Sequence, residues 1–136
     1  GDGWAAGTPV DTGVPNTLNN QLSVLRYSKP IDGKTAILVS TATGGGRQNG
    51  RIYTFLLNDD KTLSLAYTYV VNDNGADYVY SSLAELKDGS IGLLYENENN
   101  PSAAITFVNY PIATLTPGAT VDGKKTYRCR CMGPLP

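Results

Sequence analysis

Apolar and polar positions along this chain alternate with a period of two, in short runs broken by Gly, Pro, Asn and Asp. That pattern predicts strands rather than helices. Residues 22–27 alternate well, and residues 36–40 form a short apolar run of the kind seen in fully buried strands. Residues 52–57 and 63–70 follow, split by the turn Asn58-Asp59-Asp60-Lys61. A second set begins at residues 79–83 and continues through 91–96 and 104–108. Residues 1–20 are rich in Gly, Pro, Thr and Asn and lack periodicity, which predicts an extended, turn-rich lead-in. After Pro111 the pattern fades, and residues 111–136 read as a loosely ordered tail with one further strand at Thr126-Tyr127-Arg128.

The two sets read as one unit repeated. Each has a strand, an Asp-Gly turn and then a buried apolar strand: Asp32-Gly33 leads into residues 36–40, and Asp88-Gly89 into residues 91–96. Asp-Gly between strands is a strong hairpin signal because both residues tolerate positive φ. Four antiparallel strands repeated at the spacing from Asp32 to Asp88 suit the blades of a β-propeller; a β-sandwich with similar hairpins is the alternative. The expected fold class is therefore all-β, with antiparallel four-stranded blades over residues 21–110. About two blades are present, whereas propellers usually close with four to eight. Two alone would leave apolar faces and open edges in water. Either the remainder of the propeller lies on the same or another chain, or the fold is a sandwich. The first residue is Gly1 rather than methionine, which fits a removed leader or a piece of something longer.

Composition narrows the chemistry. The 136 residues suffice for one domain with a modest core, and 11 basic against 12 acidic residues give a net charge of −1. No charge field points to a nucleic acid or a membrane surface as partner. There are 9 tyrosines and no histidine, which removes the commonest general base, the commonest metal ligand and any Ser-His or Cys-His pair. Cys129 and Cys131 are too close for an ordinary disulfide and lack a second Cys or His pair for zinc, so neither a metal nor a cofactor is expected. No apolar run approaches the roughly 20 residues that span a bilayer, and Asn100-Pro101-Ser102 is disqualified as a glycosylation acceptor by its proline.

The candidate chemistry sits in the glycine-rich turn Gly44-Gly45-Gly46-Arg47-Gln48-Asn49-Gly50 and, about thirty residues on, at Tyr80-Ser81-Ser82-Leu83. A planar guanidinium on a turn can grip a carboxylate through two parallel hydrogen bonds. Together with residues 21–28 and with Tyr80 through Glu96, ending in Gly92-Leu93-Leu94-Tyr95-Glu96, these segments resemble, in order, the C-terminal part of bacterial exo-α-sialidases. Those are six-bladed propellers that release terminal sialic acid from glycans. The resemblance covers about residues 20–110 and is most specific from Tyr80 to Glu96.

The resemblance implies roles. Arg47 would be the third member of an arginine triad that holds the sialic acid carboxylate. Tyr80 would be the nucleophile at the anomeric carbon, and Glu96 would orient the first triad arginine. Gln21 matches the glutamine of a Cys-Gln pair near the pocket, with Asn20 in the place of the cysteine. The family's base (a glutamate), its acid/base aspartate and the first two arginines all lie upstream of the matched region. The family's Asp-boxes are missing, Asp2-Gly3-Trp4 and Asp59-Asp60-Lys61-Thr62 being at most degenerate relics. A phenol is a reasonable nucleophile here, because the anomeric carbon of sialic acid bears a carboxylate that would repel an anionic one. With a pKa of about 10 it needs a base. The expectation is the C-terminal part of a sialidase-type hydrolase, secreted or at the cell surface, acting on sialylated glycans and inactive as an isolated chain. A non-catalytic sialoglycan-binding module and a self-contained β-sandwich interaction domain are the competing readings.

Overall fold

A computed structural model describes residues 20–43, 46–97 and 104–126, with Gly3, Gly7, Pro9 and residues 12–14 besides. Trp4, Asn100-Pro101-Ser102, Cys129, Cys131 and the end of the expected strand at Thr126-Tyr127-Arg128 lie outside the described residues.

Strands β1 (Ser23–Arg26), β2 (Ala36–Thr41), β3 (Arg51–Leu57) and β4 (Leu63–Val70) pair antiparallel in that order as one sheet. Strands β5 (Ser81–Glu85), β6 (Ile91–Glu96) and β7 (Ile105–Tyr110) form a second. The second sheet thus has three strands among the described residues, not the expected four. After β7 comes Pro111, which lacks an N–H for the ladder, and the chain turns into the one-turn helix α1 (Ile112–Leu115).

On β2 period-two alternation marks what is buried, whereas β3 is buried on both faces. In the first sheet Ala36, Leu38 and Ser40 of β2 pair with Leu56, Thr54 and Ile52 of β3, and all six are buried. In the second, Leu83, Leu93, Ile91 and Tyr95 point the other way into the same core. The sheets meet along their first strands: the Leu83 amide donates to Ser23 Oγ at 2.9 Å, and the Ser28 amide donates to Glu85 Oε2 at 2.8 Å. The faces turned away from this core are open in part, although Tyr53 and Phe55 on the outer face of β3 are buried. Val24 is 60% exposed on the first sheet, and Leu94 (46%) and its register partner Phe107 (58%) are exposed on the second. These are sheet faces that a further blade would cover.

Both Asp-Gly turns form. Asp32 (φ 49°) and Gly33 (φ 76°) are both left-handed and are closed by the Ile31–Lys34 bridge, the two-residue turn whose twist suits a hairpin. At the second turn only Gly89 is left-handed (φ 81°), and Asp88 Oδ1 accepts from the Ser90 amide at 3.0 Å.

The expectation of a loosely ordered stretch from residue 111 does not describe residues 111–126. Leu115, Ala119 and Val121 are in the core. The short strands β8 (Thr120–Val121) and β9 (Lys124–Lys125) close a hairpin over Asp122-Gly123. That hairpin docks on the first Asp-Gly turn: Asp32 N donates to Thr120 O at 2.7 Å, and Thr120 N donates to Asp32 Oδ1 at 2.9 Å. Strands of two residues are too short to leave a periodic signal.

Candidate functional site

The turn between β2 and β3 is unusual for a hairpin because two residues with side chains, Arg47 (φ 50°) and Asn49 (φ 60°), sit in the left-handed region. Such conformations persist only where the surroundings over-determine them. Here they do. The Thr43 amide donates to Gln48 O at 3.0 Å and the Thr43 hydroxyl to Asn49 O at 2.9 Å, closing the turn from within. The segment leading into β5 then zips onto it. The Tyr78 amide donates to Arg47 O at 2.8 Å, the Asn49 amide to Ala76 O at 3.0 Å, and the Gly75 amide to Asn49 Oδ1 at 2.8 Å. Asn72 staples both sides, accepting from the Gly50 amide at 2.7 Å and donating to Asp77 O at 2.9 Å. Arg51, next along, is consumed structurally: it donates to Asn72 O at 2.7 Å and pairs with Asp73 at 3.3 Å.

The result is that Arg47 and Tyr80, 33 residues apart, stand side by side. The Arg47 Cζ lies 5.3 Å from the centre of the Tyr80 ring, and Nη2 is 3.5 Å from the phenol oxygen, at the long limit of a hydrogen bond. Tyr80 is 39% exposed. Unlike Arg51, Arg47 makes no ion pair among the described residues, so its donors remain open to an acidic ligand. Together with Asn20 and Gln21 the pair lines an open cleft of about 440 Å³. That is within the range of small-ligand sites, roughly 300–1,000 Å³.

The other two candidates adjoin it. Gln21 is shared with a neighbouring cleft that also includes Tyr80, Ser81 and Glu96. Glu96, at the end of β6, is tied to Tyr80 through the backbone: the Glu96 amide donates to Tyr80 O at 3.0 Å, and the Val79 amide donates to Glu96 O at 3.1 Å. Its half-buried carboxylate has no hydrogen-bond partner among the described residues. Both side-chain amide atoms of Asn20 are likewise buried without a partner. The four sequence candidates therefore line two adjoining clefts that share Gln21 and Tyr80.

Beneath them lies a buried layer that pattern reasoning did not find. Tyr78 is fully buried and stacks on Tyr95, with ring centres 4.8 Å apart and planes at 25°. Its hydroxyl bonds Ser40, whose own hydroxyl donates to Ser81 Oγ at 2.9 Å. Burial pushes the Tyr78 phenol up to about 12, with the Ser40 and Ser81 hydroxyls opposing the rise. Nothing in the sequence says that Tyr78 supports the turn at Arg47. Among the described residues no cluster of three His, Cys, Asp or Glu could hold a metal ion, and no helix is long and apolar enough to cross a membrane.

Known sialidases resemble this chain over most of its length. No protein-family model matches the chain. An anhydrosialidase of Macrobdella decora is 39% identical over 131 residues, covering 85% of this chain and 17% of the relative. The chain resembles a segment of the sialidases. Sialidase B of Streptococcus pneumoniae is 30% identical over 116 residues, with 79% of this chain and 17% of the relative aligned. The crystal structure of the intramolecular trans-sialidase of Ruminococcus gnavus, in complex with oseltamivir carboxylate, superposes with a TM-score of 0.65 at 37% identity, over 71% of this chain and 23% of that one. The sialidase-like chain thus spans about a sixth of the length of the curated relatives it matches. Its two stacked antiparallel sheets are a partial sialidase-type β-propeller, and the exposed outer faces follow from that partial state.

Proposed function

We propose that this chain is the C-terminal part of a sialidase-type glycosidase that releases terminal sialic acid from glycans. In this reading Arg47 grips the sugar carboxylate and Tyr80 is the nucleophile. The observation that carries the proposal is the convergence of an unpaired guanidinium and an exposed phenol, 3.5 Å apart, in one open cleft. Each is an ordinary residue alone. Together they suit a sugar whose anomeric carbon bears a carboxylate, since a neutral phenol can approach where a carboxylate nucleophile would be repelled.

In the reaction, Tyr80 Oη forms a bond to the anomeric carbon as the bond to the departing sugar breaks. The phenol proton passes to a base, and the departing oxygen takes a proton from an acid. Both of those groups, and two further arginines, belong to parts of the propeller beyond these blades. Glu96, whose carboxylate is free among the described residues, orients one of those arginines, and Gln21 contacts the sugar. The proposed partners are sialylated glycans and the remainder of the propeller, at a secreted or cell-surface location.

The test is Tyr80→Phe in the protein that carries these blades, assayed on a fluorogenic sialoside. The variant should lose kcat by orders of magnitude with KM little changed, and the isolated 136-residue chain should show no turnover. Full activity in Tyr80→Phe, or robust turnover by the isolated chain, overturns the roles. Retained sialyllactose binding with no catalysis even in the whole protein would favour the non-catalytic binding module.

A second reading concerns the acceptor. The relative named an anhydrosialidase and the solved intramolecular trans-sialidase are more identical to this chain than Sialidase B is. In that reading one of the sugar's own hydroxyls, rather than water, displaces Tyr80, and the product is an anhydro sugar. Proton NMR of the product distinguishes it from free sialic acid.

A further inference from the structure

Gly50 and Tyr78 do not line the cleft around Arg47, yet both fix where the guanidinium stands. Gly50 ends the turn that carries Arg47, and its backbone does not lie in the left-handed region that favours glycine. The reason for a glycine is spatial. A Cβ at residue 50 would meet the Tyr78 ring at 2.2 Å. The ring has nowhere to retreat: it is fully buried, stacked on Tyr95, and its hydroxyl is bonded to Ser40. At the other end of the same segment the Tyr78 amide holds Arg47 O at 2.8 Å. One tyrosine therefore gauges both ends of the segment from Arg47 to Gly50, and Tyr80 follows it by two residues.

We propose that Gly50 and Tyr78 are positioning residues for Arg47. The glycine lets the turn close onto the tyrosine ring, and the ring sets the distance between the guanidinium and the Tyr80 phenol. The inference rests on Arg47 as the carboxylate clamp. It adds that a packing contact at Gly50 acts beside the turn's hydrogen bonds in holding the clamp in its strained left-handed conformation.

The test is Gly50→Ala in the protein that carries these blades. To bring a 2.2 Å approach to an ordinary contact of 3.4 Å, turn and ring must part by more than an ångström. A misplacement of about 1 Å in a binding group costs on the order of a hundredfold. Because the clamp holds the carboxylate in ground and transition states alike, the loss should fall on KM, roughly 10- to 100-fold, with kcat within a fewfold. In arginine-labelled protein, the Arg47 side-chain NMR signals should lose the ring-current shift from Tyr80, now 5.3 Å away. Ile91→Val, a core change away from the turn, should move neither quantity.

A folded Gly50→Ala with unchanged KM, or one whose Arg47 signals stay in place, overturns the proposal. Should Gly50→Ala not fold, Tyr78→Phe frees the ring from Ser40 and should raise KM several-fold, and an unchanged KM there has the same force. If the unsubstituted protein neither binds nor turns over sialosides, the functional reading fails instead, while the NMR measurement still decides whether Gly50 positions Arg47.

Discussion

Replacing Arg47 should separate carboxylate binding from every other role this residue could have. In the fold Arg47 contributes little: its side-chain contacts among the described residues are the Tyr80 ring, 5.3 Å from Cζ, and the long 3.5 Å approach to the phenol. A partly exposed cation–π contact is worth about 0.5–1 kcal/mol. Alanine keeps the Cβ, so the left-handed backbone at φ 50° is no more strained in Arg47→Ala than in the parent. The variant should therefore stay folded, with a stability loss under about 1 kcal/mol. Its effect on substrate should be much larger. Two charge-assisted hydrogen bonds to a carboxylate, at about 1.5–3 kcal/mol each and not fully additive, amount to roughly 3–5 kcal/mol. At 1.4 kcal/mol per tenfold, kcat/KM should fall on the order of 10²- to 10³-fold. Arg47→Lys keeps the charge but not the fork, and should lose about 10- to 100-fold. The assay is kcat/KM on a sialoside, paired with an analogue whose carboxylate is replaced by a carboxamide. If Arg47 grips the carboxylate, the substitution should cost far less on the carboxamide than on the acid. Equal losses on both, or a loss below tenfold on the acid, would refute the clamp.

Two further expectations concern the fold. The partly buried Tyr67 phenol, which donates to Asp32 at 2.5 Å, and the buried Tyr78 phenol are both raised to about 12. The folded state thus holds these protons more tightly than the unfolded chain does near pH 10. The stability they contribute is present in full below about pH 10 and is lost as pH rises from there through about 12. Absorbance at 295 nm should show them ionising after the exposed tyrosines, and titration of all tyrosines together near pH 10 in folded protein would contradict this. Thr54, whose hydroxyl is buried with no partner among the described residues, should be stabilised by Thr54→Val, by about 1 kcal/mol in urea unfolding, because an orphaned hydroxyl costs about 1–3 kcal/mol. Destabilisation would mean that the hydroxyl has a partner.

Strands long enough to show alternation were legible in the sequence. The runs at Leu63–Val70 and Ile91–Glu96 form with the expected bounds, and both Asp-Gly turns appear where positive φ is tolerated. The ordered segment after Pro111 was not legible, because strands of two residues have no period. Its Asp122-Gly123 turn was the available signal. The site was legible only through resemblance. Nothing in periodicity separates Tyr80 from the other tyrosines, and Arg47 and Arg51 differ in sequence far less than in use, since Asn72 and Asp73 occupy one and leave the other free. The requirement for Gly50 is invisible locally. It comes from a ring 28 positions away, and only packing creates it.

That the candidates share one rim follows from strand parity. In an antiparallel sheet each strand reverses direction, so positions separated by an even number of strands return to the same end. Gln21 precedes β1; two strands later comes the turn bearing Arg47; two more, β3 and β4, lead to the segment ending at Tyr80; and β5 and β6 end at Glu96. The intervening turns, Asp32-Gly33, Asn58 to Lys61 and Asp88-Gly89, fall at the opposite end by the same count. There Asp32, Gly33, Lys61 and Gly89 take the left-handed positions, and Asp32 fastens the closing hairpin. On the candidate rim the left-handed positions carry Arg47, Asn49, Asn74 and Gly75. At this rim a left-handed backbone at Arg47 aims a guanidinium, as expected of a scaffold that carries a binding site on one edge.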